Sequence, residues 1–376
     1  MKKMYKSLCL LTALVLLAAC NKDAEPNGSA AGGKTNFAVS LPGAPETYAV
    51  EDPQSAGAIV PLYNDVTVYL VDAGNNFVGY AWTDAEIKAR KKQLTQVNEP
   101  ETVLVIVNSG VTMPTGSLSY ATVQSAVASI AVATQNQAAK TLAAEDAKGN
   151  AAGTYNPVQQ VTLYGEQDTF TTESVVDGYT TKKAAVELSS LVARLELGTV
   201  KPGAGLDALT VEAVYVNNFY LNAFDESAIQ NFTEGTWPGS FTPAWATDGY
   251  NAAVTSNVGT KAYAYQLFAL GSLLMPHVIY KVSGTVSAGY KLADGTGDLD
   301  TPTAFTDKYI TVKGFREGGS PVAWLQNNKI YKMGLEDGGI AITPDKITDK
   351  PEKNKIDLIV GITVADWTSS NVTPEF

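Results

Sequence analysis

The sequence predicts a mainly β protein of two tandem, similar β-sandwich domains, with one or two short helices in the first. Three observations carry this expectation. Val, Thr, Tyr and Ala dominate from residue 35 onward, and Gly, Pro and Asn clusters punctuate the chain roughly every 10–15 residues, which is the signature of short antiparallel strands. Apolar residues alternate with period two through many short runs, and such alternation gives an extended segment one apolar face. The chain has 376 residues, a length that asks for two domains of ordinary size.

The first twenty residues have the layout of an export signal. Lys2, Lys3 and Lys6 give a positive start, an apolar run covers 8–17, and Leu17-Ala18-Ala19-Cys20 closes the segment. That ending resembles a bacterial lipobox, in which Cys20 becomes the lipidated first residue. The apolar run falls short of the roughly 20 residues that a spanning helix needs. The charged tract Asn21-Lys22-Asp23-Ala24-Glu25 is similar to those that route surface lipoproteins outward. Cys9 leaves with the signal, so Cys20 remains without an internal partner for a disulfide.

Residues 21–34 read as a flexible tether. Gly28 to Thr35 (GSAAGGKT) matches the phosphate-loop pattern, but that mechanism needs a strand before it and a helix after it. The chain instead continues into a strand, 35–41 (TNFAVSL), and the Gly, Ser and Ala content makes the match a linker. The next strands expected are 64–71 (NDVTVYLV), 102–108 (TVLVIVN), 191–197 (LVARLEL), 209–215, 261–267, 277–286 and 309–312. A helix is expected over 118–133, where Leu118, Val123, Val127 and Ile130 keep near-helical spacing, and a shorter one over 84–92. The order TNFAVSL, NDVTVYLV, TVLVIVN is echoed by LVARLEL, LTVEAVYV, KAYAYQLF. This loose repeat divides the chain into domains at 35–184 and 185–355, joined near 182–186, with a tail at 356–376.

Composition excludes several functions. The net charge of −11 argues against nucleic acid, which needs a basic face. His277 is the single histidine, in an apolar run, and a lone strand histidine is more often packed or exposed than catalytic. The acids show no pairing suited to shared proton chemistry. Neither a catalytic residue, a metal centre nor a cofactor is therefore expected, and the chain does not read as an enzyme. Asp294, Thr296, Asp298 and Asp300 have the alternation of a calcium loop, but Phe305 stands where its closing Glu belongs. Trp237 and Trp245 offer a sugar-stacking platform or a cap on a sandwich core.

Two alternating strands stand at opposite ends of the chain. Phe37, Val39 and Leu41 share one face near the start, and Ile356, Leu358, Val360, Ile362 and Val364 form a longer row near the end. Trp367, Val372 and Phe376 extend the tail. A sheet that loses a strand exposes backbone groups, and another chain's strand can fill the gap. Such a head-to-tail contact does not close on itself and builds filaments.

At this point the sequence resembles the major fimbrial subunits, or fimbrillins, which build type V pili on anaerobic Gram-negative bacteria. The resemblance rests on the lipobox at Cys20, TNFAVSL, LVARLEL, NNKIYKM at 327–333 and the closing ITVADWTSSNVTPEF, taken in that order. It implies two transthyretin-like β-sandwich domains and export to the outer membrane as a lipoprotein, anchored by its lipid. A protease then removes the first strand, 35–41, and the tail of a neighbour, 356–376, fills the vacated groove in a cell-surface fimbrium. The implied partners are further copies of the chain, related minor pilins and a host surface or glycan for adhesion. In the family the cut comes after an arginine in the loop beyond the first strand. Here no Lys or Arg occurs from Thr35 to Ile87, so the processing loop around Thr47, Tyr48 and Ala49 calls for a protease of other specificity. Two alternatives stand beside this reading: a surface-anchored glycan-binding lipoprotein, and an unprocessed anchor or tip pilin of the same family.

Overall fold

The computed structural model describes residues 34–41, 62–136, 140–142, 148, 152–155, 157–176, 179–234, 236, 247–249, 263–269, 274–317, 319–334, 339–353 and 358–366. The described chain is mainly β, with about half of it in strands and three short helices. The principal strands of its first half are β1 (Lys34–Ser40), β2 (Val66–Val71), β3 (Phe77–Ala81), β4 (Lys91–Asn98), β5 (Thr102–Val107), β6 (Gly116–Leu118), β7 (Leu163–Gln167), β8 (Thr171–Val176) and β9 (Tyr179–Ala185). Those of the second half are β10 (Val192–Leu197), β11 (Leu206–Asn217), β12 (Tyr263–Phe268), β13 (His277–Val286), β14 (Thr303–Glu317), β15 (Lys329–Met333) and β16 (Leu358–Asp366). The helices are α1 (Asp84–Ala89), α2 (Tyr120–Ala128) and α3 (Val132–Gln135).

Local chemistry explains the helix limits. Thr83 and Glu86 form a reciprocal capping box that starts α1. Arg90, at φ 52°, turns the chain left-handed and ends it, so the expected helix over 84–92 stops at Ala89 and Lys91 already begins a strand. The helix expected over 118–133 is broken in two. Ile130 O accepts from Ala223 N at 2.8 Å, and Val132 N donates to Leu221 O at 2.7 Å, so the second half of the chain takes the backbone bonds a continuous helix would need.

In the first half, one sheet runs β8-β9-β1-β4 and the other runs Ser189–Ser190, β7, β5, β2, β3, β6. In the second half the strands take the order Ile229–Gln230, Phe219–Tyr220, β12, β10, β15, β16, β14, β13, β11, Thr247–Gly249. Two groups of strands share their pairing senses, but not in the alignment expected from sequence: β12 (KAYAYQLF) takes the place of β4, not that of β5 (TVLVIVN). The β8/β9 pair is antiparallel, β9/β1 parallel and β1/β4 antiparallel. The order β16-β15-β10-β12 has the same three senses in the same places. A boundary at 184/185 falls on the last residues of β9, and Ser189 and Ser190 still pair with Tyr164 and Leu163 of the first half.

The buried apolar side chains form one cluster that continues through both halves. Where α3 meets β12, Asn136 and the Gln266 backbone exchange two bonds of 2.8 Å. Beneath them Arg194 Nε donates to Glu196 Oε1 at 2.6 Å and Nη1 donates to Gln266 Oε1 at 3.2 Å. The charged row of LVARLEL is therefore as buried as its apolar row, and its pairing is what makes that burial tolerable. Among the described residues no helix is long and apolar enough to cross a membrane.

Candidate functional site

The first strand is held on both edges. β1 pairs in parallel with β9 (Asn36↔Thr181 through Ser40↔Ala185) and antiparallel with β4 (Lys34↔Asn98 through Ser40↔Lys91). Phe37 and Val39 are buried as the alternation requires, and Leu41 beside them is buried too. The Phe37 ring meets Phe170 edge-on, with centroids 5.0 Å apart. On the other row Ala38 is fully buried, between the partly exposed Asn36 and Ser40. Three side chains at ~1.5–3 kcal/mol each make its apolar burial worth about 5–9 kcal/mol before ordering costs.

Side chains fix the ladder's ends. Thr35 Oγ1 donates to Thr180 O at 2.5 Å. Next comes a bulge, where Gln96 takes φ 52° and its N–H finds Asn36 Oδ1 at 3.2 Å. At the far end Val186 N donates to Ser40 O at 3.0 Å and Leu41 N to Arg90 O at 2.9 Å. Removing β1 would thus uncover the facing edges of β9 and β4, a slot about seven residues long with an apolar floor.

β4 is steadied by charge. Lys92 points inward, yet its Nζ reaches Glu86 Oε2 at 2.7 Å and Ala81 O at 3.1 Å. Burial pushes the Glu86 carboxyl up, but the Lys92 and Thr83 bonds outweigh it and hold Glu86 below its ordinary value.

The last strand sits in the chain's own second half. The first part of β16 pairs in parallel with β14 (Val312↔Leu358 to Arg316↔Gly361). The second part pairs antiparallel with β15 (Met333↔Ile362 to Lys329↔Asp366). β16 therefore changes from a parallel to an antiparallel neighbour after Gly361, and in the strand order it alone stands between β14 and β15.

The base of this tail is clamped. Glu352, at φ 59°, accepts from His277 Nδ1 at 2.9 Å and from Asn217 Nδ2 at 2.8 Å. Lys313 Nζ lies 3.3 Å from its carboxylate and donates to its carbonyl oxygen at 3.1 Å. Its own N–H donates to Thr311 Oγ1 at 3.2 Å. Burial pushes the Glu352 carboxyl up, but His277, Asn217 and Lys313 prevail and leave it below the ordinary value. Three strands thus hold the residue just before the tail, and His277 serves as one of its donors.

Of the residues singled out in sequence, Phe37, Val39 and Leu41 come together in one buried row, and Leu358, Val360, Ile362 and Val364 lie on β16. Cys20, Thr47, Tyr48, Ala49, Ile356, Trp367, Val372 and Phe376 lie outside the described residues, as do Trp237 and Trp245. In the acidic loop, Lys308 Nζ binds Asp294 Oδ2 at 2.5 Å, while Asp298 Oδ1 accepts from the backbone of Asp300 and Thr301 at 2.8 and 3.1 Å. These carboxylates cap a turn and an ion pair. Among the described residues no three His, Cys, Asp or Glu side chains gather as metal ligands. Sequence reasoning missed β4, β9, Arg90 and Glu352, whose segments are too polar to show a strand's alternation.

No protein-family model matches the chain, and no curated protein does. Solved structures do: the chain is similar to cell adhesion candidates and fimbrilins from Bacteroidetes. A candidate cell adhesion protein from Bacteroides eggerthii is 18% identical, with 89% of this chain and 97% of that one covered, at a TM-score of 0.49. A fimbrilin from Porphyromonas gingivalis is 14% identical over 90% and 99% of the two chains, with a TM-score of 0.44. A tip fimbrial protein of the same organism is 14% identical over 89% and 100%, with a TM-score of 0.32.

Proposed function

We propose that this protein is a structural subunit of a surface fimbria, exported as a lipoprotein through Cys20 and polymerised by strand exchange. Proteolysis after Leu41 removes β1, and the tail from Ile356 leaves its own sheet to fill the slot between β4 and β9 of the next copy. The observation that carries this reading is β1 itself: a buried strand, paired on both edges, that is joined to the next strand only through a Pro/Gly/Ala-rich stretch at 42–61. The clamp at Glu352 supports it too, because Glu352 keeps its bonds to three strands when the tail beyond Lys353 unpairs from β14 and β15. The partners are other copies of the chain and related minor pilins, and the finished fibre serves adhesion at the cell surface. The resemblance of the sequence to fimbrial structural subunits favours a role without catalysis.

The N-terminal sequence of the protein on the cell surface tests this reading. A start within 42–61 is the expected result. A start at lipidated Cys20 in all of the material would overturn processing and leave a permanently anchored lipoprotein.

A further inference from the structure

Arg90 is a buried cation at the end of the β1 slot. It is 9% exposed, its guanidinium lies 3.8 Å above the Tyr63 ring, and its Nη1 has no hydrogen-bond partner among the described residues. Its carbonyl oxygen accepts from Leu41 N, one step beyond the Ser40↔Lys91 pair. Leu41 is an apolar residue and offers that cation nothing. A buried guanidinium nitrogen without an acceptor among the described residues is costly, so the slot is better suited to a strand carrying an acid at this end.

We propose that the tail of a second copy enters the slot in the direction of β1, in the register that sets Asp366 opposite Arg90 and Ile362 and Val364 in the places of Phe37 and Val39. This rests on the strand-exchange reading and specifies its geometry. Ile362, Val364 and Asp366 keep the two-residue spacing of Phe37, Val39 and Leu41. The intervening Gly361, Thr363 and Ala365 are small, as the buried Ala38 requires of that row. Sliding the tail two residues deeper would bring Asp366 to the place of Val39, which is 0% exposed and lies opposite Lys92, a base whose head is already paired with Glu86. Sliding it two residues back would leave Val364 against Arg90 and put Ile359 at the half-exposed place of Asn36. A reversed strand with Ile362 and Val364 in the same two places would set the apolar Val360 against the cation. In its own sheet Asp366 stands opposite Lys329, so the same acid is set against a base before and after exchange.

The test is fibre yield from cells producing the full chain, read in the sheared surface fraction by electron microscopy and by detergent-resistant ladders. Asp366→Lys and Arg90→Glu should each lower yield about tenfold or more, since like charges or an unpaired buried charge then meet in the slot. The double exchange should restore most of it. Normal yield from Asp366→Lys, or a double variant no better than either single one, overturns the register. If Arg90→Glu fails to fold, Asp366→Asn and Asp366→Lys report from the donor side alone, with a graded loss expected and unchanged yield overturning the proposal. Val360→Asp with Ile362→Asp separates the two claims. Fibres from that variant sink strand exchange itself. No fibres from it beside normal fibres from Asp366→Lys sink only the register.

Discussion

Phe37→Ala should weaken the precursor and leave the fibre untouched. Phe37 is 1% exposed and stacks edge-on against Phe170, so truncation removes a whole buried ring and its partner contact. Phe→Ala in a core costs about 3–5 kcal/mol. In a unit of the size of either half, each kcal/mol is worth roughly 2–4 °C, so the unprocessed chain should melt about 6–20 °C lower. Scanning calorimetry of the lipid-free precursor, with Phe37→Leu as a volume control, reads this directly. Under the proposed strand exchange the assembled fibre sheds β1, and its dissociation temperature should match wild type. A fibre that loses stability in parallel with the precursor would show that β1 is retained, and the strand-exchange argument would fail. A precursor unmoved by the substitution would mean that the Phe37 ring is not packed against Phe170.

Glu352 carries the next expectation. Its folded-state carboxyl lies below the ordinary 4.5, so the stability it contributes is fully present above that value and is lost as pH falls through the lowered one. Glu352→Gln should flatten the acid limb of the Tm-against-pH curve, and an unchanged acid limb would refute the role. Val360→Asp with Ile362→Asp should abolish fibres, and because both residues lie on β16 it should also expose Met333 and Lys332 amides to hydrogen exchange in the monomer. Slow exchange there in the variant would contradict the pairing. Calcium should leave the melting temperature where EDTA leaves it, since Asp294 is engaged by Lys308; a rise of several degrees would restore the calcium reading.

Much of the strand set was legible because one face of each strand is apolar. β2, β5, β10 and β13 were found with ends within about two residues, the ordinary uncertainty of such boundaries. The two strands that flank β1 were not. β4 (KKQLTQVN) hides its inward row because Lys92 lies in it, its head neutralised by Glu86 and its stem packed against the interior. β9 (YTTKKAA) shows no apolar alternation, since its buried residues Thr181 and Ala184 lie on opposite faces. The walls of the site were therefore invisible while its occupant was plain.

The sequence by itself determined the mainly β class and the two alternating strands near its ends. Period-two alternation is a local property and needs no knowledge of neighbours. Which strands lie beside which was decided by the tertiary structure alone. The parallel partner of Phe37 is Lys182, far along the chain, and the acid that fixes the base of the tail meets a histidine and an asparagine from two other strands. Side-chain pattern records which face of a strand is buried. It does not record what lies across a hydrogen-bonded edge, because backbone groups are the same in every residue, and the edges of β1 are where this protein's function is proposed to lie.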